Sequence, residues 1–361
     1  MPSSFAVAVL STWGIMPRLG YDVSHRQGGE MPHRVSVIAT VLNEAESIEL
    51  LLASLLKQTR RPDEVVIVDG GSADDTLTRI ERFGRATDLP VRALSLPGCN
   101  ISQGRNLAIA ASSGSLIAAT DAGVRLEDDW LEHLLAPFAG DDAPDAVGGF
   151  FVADPRSTFE LALGAATLPA VEEVDPASFY PSSRSIAFRR EVWQAVGGYP
   201  EWLDYCEDLL FDFALLDAGY TLGFAPQALA RFRPRPTLRA FFQQYYRYAR
   251  GDGKADFWGY RHLIRYATYL VLLPSLLVLS AWHSPLWLVA LSAGAISMMY
   301  IPVRRLFAHP VISSMRERLV ALCWLPIISC TGDVAKMLGY PVGVWWRWHH
   351  APDGDWPRRH I

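Results

Sequence analysis

Ser115–Trp130, SLIAATDAGVRLEDDW, decides how the rest of the chain is read. The apolar run Leu116 to Ala119 stops abruptly at Thr120 and Asp121, and Ala122-Gly123 turns the chain. A short apolar run bounded by turn residues reads as a strand buried in a parallel sheet. Ligands of open α/β sheets bind beyond the carboxyl ends of such strands. Asp121 is therefore expected at the rim of a site, whereas an isolated Asp in this context would more simply cap the next turn.

Working outward, the same grammar repeats on the N-terminal side. Val35 to Thr40, Glu64 to Val68 and Val91 to Leu96 read as strands, and a helix separates each from the next. The apolar spacing Ile48, Leu51, Leu52, Leu55, Leu56 predicts the first helix, Asp74-Asp75-Thr76 opens the second, and Gln103 to Ala111 the third. Strands alternating with helices predict an α/β fold with a doubly wound, mostly parallel sheet. On the C-terminal side the alternation loosens. Val147 to Val152 and Ser185 to Phe188 read as strands, Glu191 to Val196 and Glu207 to Leu216 as helices, and Arg231 to Arg239 as a basic, proline-broken segment.

The 361 residues, half of them hydrophobic, are enough for one sizeable domain plus something smaller. The apolar residues are concentrated. Tyr266 to Val303 contains no Asp, Glu, Lys or Arg, which is long enough to cross a bilayer twice at about 20 residues per crossing, with His283-Ser284-Pro285 as the break. Leu319 to Gly332 is a third apolar stretch, read as a third span or a re-entrant helix, and Asp333 and Lys336 beyond it are spaced to pair on one helix face. Phe241 to Tyr269, rich in aromatic residues and Arg, suits a membrane surface. The expected organisation is a leader over 1–34, a catalytic domain over 35–235, an amphipathic interfacial segment over 236–265, a membrane region over 266–346 and a polar tail over 347–361. The leader reads as flexible, or as sequence preceding a true start at Met31. A net charge of −5 argues against a nucleic-acid partner. The four cysteines show neither metal-ligand spacing nor a disulfide framework.

Several stations carry chemistry. Asp69-Gly70-Gly71-Ser72 ends a strand with a carboxylate and two glycines, a place where backbone N–H groups approach a ligand or simply turn. Arg105 near a helix start suits a phosphate, or is a solvated arginine. The pair Glu207-Asp208 offers a proton acceptor for a hydroxyl, or a helix cap. Gln244 and Arg247, three apart, share a helix face.

In this order, VSVIATVLNEAESI, VIVDGGSADDT, GRNLAIAASSGSLIAATDAG, GGYPEWLDYCEDLLFDFAL and QQYYRYARG resemble the motifs of family 2 inverting glycosyltransferases of the GT-A fold, over roughly Val35 to Gly251. The resemblance implies a nucleotide-diphospho-sugar donor, with Glu44 and Asp69 as nucleoside contacts and Asp121 as the first acid of an Asp-x-Asp site for a divalent cation, Mg²⁺ or Mn²⁺. It implies Asp208 as general base beside Glu207, and Gln244, Arg247 and Tyr248 as counterparts of a Gln-x-x-Arg-Trp motif near the acceptor, with Tyr for Trp. The chain departs from the pattern at Asp121-Ala122-Gly123, which lacks the second acid. Arg231 and Arg233, with Arg235, are the expected substitutes for offsetting diphosphate charge. The expected activity is transfer of a sugar to a lipid-linked or saccharide acceptor by an integral membrane protein among membrane lipids, its catalytic domain cytoplasmic. A processive polysaccharide synthase and a non-catalytic nucleotide-sugar-binding membrane protein are the competing expectations.

Overall fold

A computed structural model of the protein describes residues 34–308 and 314–350. Nearly all of the expected leader and most of the expected tail lie outside those residues.

The first half follows the alternation read from the sequence. β1 (Val35–Val41), α1 (Ile48–Leu56), β2 (Glu64–Asp69), α2 (Thr76–Ala86), β3 (Val91–Ser95), α3 (Ile101–Ala111) and β4 (Leu116–Ala119) build a parallel sheet in the order β3-β2-β1-β4. Ile38, Val66 and Ile117 face one apolar cluster, Val37, Ile67 and Ala118 the other. Cover on both faces is why these strands read as continuous apolar runs. α3 starts at a capping box, in which the Asn100 side chain accepts from Gln103 N–H and the Gln103 side chain from Asn100 N–H.

Beyond β4 come β5 (Val124–Leu126), α4 (Trp130–Leu135), β6 (Ala146–Ala153), α5 (Thr158–Thr167), β7 (Ile186–Arg189), α6 (Arg190–Ala195), α7 (Glu207–Asp217) and β8 (Leu222–Phe232). β7 runs antiparallel to β4 and the sheet continues β7-β6-β8-β5, giving eight strands among the described residues. The sheet is therefore mixed, its parallel half followed by a largely antiparallel one. Sequence reading missed β5, α5 and β8. In β8 the ladder to β6 skips from Ala225 to Leu229, so Pro226 falls in the irregularity, where no ladder bond from its nitrogen is needed.

The chain then forms α8 (Leu238–Ala255), α9 (Gly259–Tyr266), a π-helical turn over Ala267–Leu272, α10 (Leu273–Trp282), α11 (Trp287–Ala308) and α12 (Met315–His349). Among the described residues, three helical stretches are long and apolar enough to cross a membrane: Gly259–Trp282, Trp287–Ala308 and Met315–His349. The first two are a hairpin that breaks at His283-Ser284-Pro285 as expected.

α12 is different. It is about 52 Å long at 1.5 Å per residue and packs along α8 and α5. Gly332 sits against Phe241 and Tyr245 of α8, Gly339 against the Tyr246 backbone, and Gly343 against Arg250 and Gly253. Small residues let two helix backbones touch, and a Cβ at Gly343 would overlap the Arg250 carbonyl. Farther along, Trp346 stacks on Trp202 and Arg347 pairs with Asp256. Two expectations are corrected by this packing. Phe241 is buried beneath α12 instead of facing lipid. Asp333 does not pair with Lys336, because Arg265 (2.7 Å) and the Tyr269 hydroxyl (2.8 Å) already engage its carboxylate.

Candidate active site

The carboxyl ends of the parallel strands open into a cleft of about 1020 Å³, lined by Thr40, Glu44, Asp121, Arg184, Glu207 and Asp208 and continuing along α8. Its centre is a buried fork. Arg105, on α3 and 3% exposed, donates through Nη1 to Glu207 Oε1 at 2.6 Å and through Nη2 to Asp121 Oδ1 at 3.0 Å. One guanidinium thus joins the end of β4 to the start of α7. Burial opposes its charge, but Glu207 and Asp121 outweigh burial and raise its pKa. The expectation that Arg105 receives a phosphate is corrected: it is buried, and both Nη atoms are taken by carboxylates.

The second cation at the centre is Arg184, which sequence reading missed. β4 and β7 pair with Ala119 opposite Ile186, and continuing this antiparallel register places Arg184 opposite Asp121. Thr120 Oγ1 donates to the Arg184 carbonyl at 3.0 Å, and Arg184 Nε lies 3.5 Å from Asp121 Oδ2. The guanidinium also sits over the rings of Phe151 and Phe232 and donates to the Tyr248 hydroxyl at 3.4 Å, which accepts from Gln244 Nε2 at 2.7 Å. The structure thus brings Asp121, Gln244 and Tyr248 together through Arg184. Arg247, also in the cleft lining, donates to the Tyr205 hydroxyl at 3.2 Å. At the far end of the quoted stretch, Trp130 Nε1 donates to Ser185 Oγ at 2.8 Å and anchors the adjoining strand.

The adjacent acids of α7 differ. Burial pushes the Glu207 carboxyl up to about 7, Asp208 adds to this, and Arg105 opposes it. Asp208 accepts from Leu209 N–H at 2.9 Å and forms no ion pair among the described residues, although its charge reaches Arg105 and Arg184. Cys206, just before them, is left-handed (φ 66°), and its thiol donates toward Tyr248 O and Asp252. One turn on, Asp212 is fully buried with no hydrogen-bond partner among the described residues, and burial, then Asp208, pushes its pKa up.

The other expected site residues divide. Glu44 lines the cleft and its carboxylate accepts from Ser47. The Asp69 carboxylate is turned into its own loop, accepting from Gly71 N and Ser72 N at 3.0 Å each and from the Ser72 hydroxyl. Gly71 has φ +95°, a conformation that favours glycine. Arg233 borders the cleft but pairs with buried Glu160 at 2.6 Å. Arg231 is outside the lining, held by Glu127, which corrects its expected place beside the diphosphate. Arg235 lines the cleft without an ion-pair partner among the described residues.

This fold, with an acid–arginine cleft at the carboxyl ends of its strands, is that of a GT-A-type glycosyltransferase. Two family profiles agree: "Glycosyl transferase family 2" matches residues 36–181 and "Glycosyl transferase family group 2" residues 176–337. The chain belongs to glycosyl transferase family 2. It is similar to glycosyltransferase AglE of Haloferax volcanii, 28% identical over 62% of this chain and 74% of that one. The O-antigen chain rhamnosyltransferase RfbN of Salmonella typhimurium is 23% identical over 59% and 70%, and the succinoglycan biosynthesis protein ExoA of Rhizobium meliloti 29% over 60% and 68%. The solved structure of a mannosyltransferase from Pyrobaculum calidifontis, in complex with GDP-Man and Mn²⁺, shares the fold with TM-score 0.60, 19% identity and 92% of each chain covered.

Proposed function

We propose that the chain transfers a sugar, with inversion, from a nucleotide-diphospho-sugar to a hydroxyl of a lipid-linked acceptor at the cytoplasmic face of a membrane. The observation that carries this reading is the unequal treatment of two neighbouring acids. Glu207 is locked onto Arg105, whereas Asp208 lines the same cleft without an ion pair of its own among the described residues. A carboxylate left unpaired beside a reacting hydroxyl is suited to take its proton.

In the proposed displacement Asp208 accepts the proton of the acceptor hydroxyl. The oxygen forms a bond to the anomeric carbon as the carbon–oxygen bond to the diphosphate breaks on the opposite face. The nucleoside diphosphate leaves with the electron pair. Arg105 fixes Asp208 relative to Asp121, and Arg184 and Arg235 supply charge toward the departing phosphates. For a divalent cation the donor set is sparse. Among the described residues no group of three His, Cys, Asp or Glu stands together, and Arg105 and Arg184 face both Asp121 oxygens. A Mg²⁺ or Mn²⁺ here would have Asp121 as its single protein carboxylate, in competition with both guanidinium groups, and would take its other ligands from diphosphate oxygens and water. Such an ion would supply further charge stabilisation to the leaving group.

The placement at the membrane rests on how the hairpin is tethered. Arg304 and Arg305 at the end of α11 pair with Glu173 of the catalytic domain, and Arg265 at its entrance pairs with Asp333. Both ends of the α10–α11 hairpin thus lie on the catalytic side, which suits a chain that crosses and returns. α12 packs on the domain through Ala321, Leu325, Ile328 and Ala335, while Leu319, Ile327, Val334, Leu338 and Trp345 stay exposed. That division suits a helix lying in the membrane interface, and we assign α12 this role instead of a third span.

The test is to incubate the purified chain with UDP- and GDP-sugars and a membrane lipid extract, follow nucleoside diphosphate release, and determine the product anomer by NMR. Lipid-dependent release with one donor and an inverted anomeric centre is expected. A retained configuration, or no release with any donor, contradicts the reading.

A further inference from the structure

The cleft does not end at the transfer centre. It continues past Tyr245 and Tyr248 to Asp252, Trp258, Arg261, His262, Arg265 and Lys336. Here α8, the start of the apolar run in α9 and the middle of α12 converge. Three cations meet two carboxylates at this end, and the carboxylates are spoken for: Asp333 pairs with Arg265 at 2.7 Å, and Asp252 lies 3.2 Å from His262 Nε2. Arg265 Nη1 is 3.2 Å from His262 Nδ1. Arg261 sits 3.9 Å over the Trp258 ring and Lys336 5.0 Å over the Tyr245 ring. Neither has an ion-pair or hydrogen-bond partner among the described residues. Cations that line a cleft without partners are costly unless a ligand anion meets them. Leu263 and Ile264 of α9 and Val334 and Leu338 of α12, all exposed, flank this end.

We propose that Arg261, Arg265 and Lys336 form the subsite for the phosphate or diphosphate that joins the acceptor to a long-chain lipid alcohol. The lipid chain leaves over Leu263, Val334 and Leu338, and the acceptor sugar extends along α8 toward Asp208. The proposal rests on the lipid-linked acceptor reading above and names the chemical group that this reading requires the cleft to hold. A phosphate there sits where the chain enters its apolar run, at the depth of lipid headgroups.

The test uses the full chain in nanodiscs and measures binding of polyprenyl phosphate and diphosphate, with the free polyprenyl alcohol, inorganic phosphate and phosphatidylglycerol as comparison probes. The wild type is expected to prefer the phosphorylated polyprenols over all three. Arg261→Gln and Lys336→Gln are each expected to weaken their binding about tenfold, the loss of one charge-assisted bond, with donor-induced thermal stabilisation unchanged. Lys336→Arg should retain binding, which separates lost charge from lost folding. Unchanged probe binding in both Gln variants overturns the subsite, as does wild-type binding of phosphatidylglycerol as tight as that of polyprenyl phosphate. Turnover on a lipid-linked acceptor that survives both variants undiminished removes the subsite and leaves the transferase reading standing. Phosphate-dependent binding without turnover on any lipid-linked acceptor removes that reading and leaves the site.

Discussion

The two ends of the cleft use arginine in opposite ways. At the transfer centre Arg105 is buried and doubly paired, and Arg184 is shared between Asp121 and Tyr248. At the membrane end Arg261 and Lys336 line the same cleft with only aromatic rings beside them. A cation held between two protein carboxylates fixes geometry, and one with none is available to a ligand. The distinction separates residues that position chemistry from residues that bind, which residue type alone does not do.

The largest effect that tests this contrast is expected at Arg105. Arg105→Met leaves Asp121 and Glu207 facing each other in a buried site, where breaking a pair costs about 3–5 kcal/mol. Denaturant unfolding should show a loss of that size together with lost activity. A variant of normal stability that merely binds donor weakly would make Arg105 a phosphate ligand after all.

Glu207 sharpens the same point through pH. Its carboxyl is raised from 4.5 to about 7, so between those values the folded state holds a proton that the unfolded state has released. Its contribution to stability is present in acid and is lost as pH rises through about 7. The ion pair with Arg105 is complete only above that value, so kcat/KM should fall as pH drops through about 7. Glu207→Gln should flatten this limb, and an unaltered profile would assign the titration to another group.

Metal binding should follow the sparse donor set. Mn²⁺ is expected to bind the free protein weakly and at least about tenfold more tightly with nucleotide sugar present, by linkage. Isothermal titration with and without donor checks this, and tight binding to the free protein would reveal a second ligand. Chelator should then abolish most of the activity, and full activity in excess EDTA would hand the role to Arg184 and Arg235. The smallest effect belongs to Arg231. Its pair with Glu127 is partly exposed and outside the cleft, so Arg231→Ala should cost about 0–1 kcal/mol in thermal unfolding and leave turnover intact.

The parallel half of the fold was legible because each of its signals is local. Continuous apolar runs end at Asp69 and Asp121, and helix repeats lie between them. The antiparallel half depends on pairings between distant segments. β8 hides behind Pro226, and α5, buried continuously from Phe159 to Ala165, has no periodicity to read. The same limit governs the site. Asp121, Glu207 and Asp208 stand at element ends and could be found there. Arg105 was misread because its partners lie 16 and 102 residues away. Arg184 acquires meaning only through the antiparallel register of β4 and β7. Asp69 shows the reverse case, a carboxylate at an expected strand end whose contacts lie within its own turn.

The central claim is that Asp208, unpaired beside a locked Glu207, is the base. The direct measurement is the turnover number of Asp208→Asn at saturating donor and acceptor, with donor affinity determined on the same preparation. Removing a positioned base should lower kcat by about 10²–10⁴-fold, with donor affinity unchanged, because the amide keeps the side chain's size and its bond from Leu209. Turnover near that of the wild type, with donor bound normally, would contradict the account.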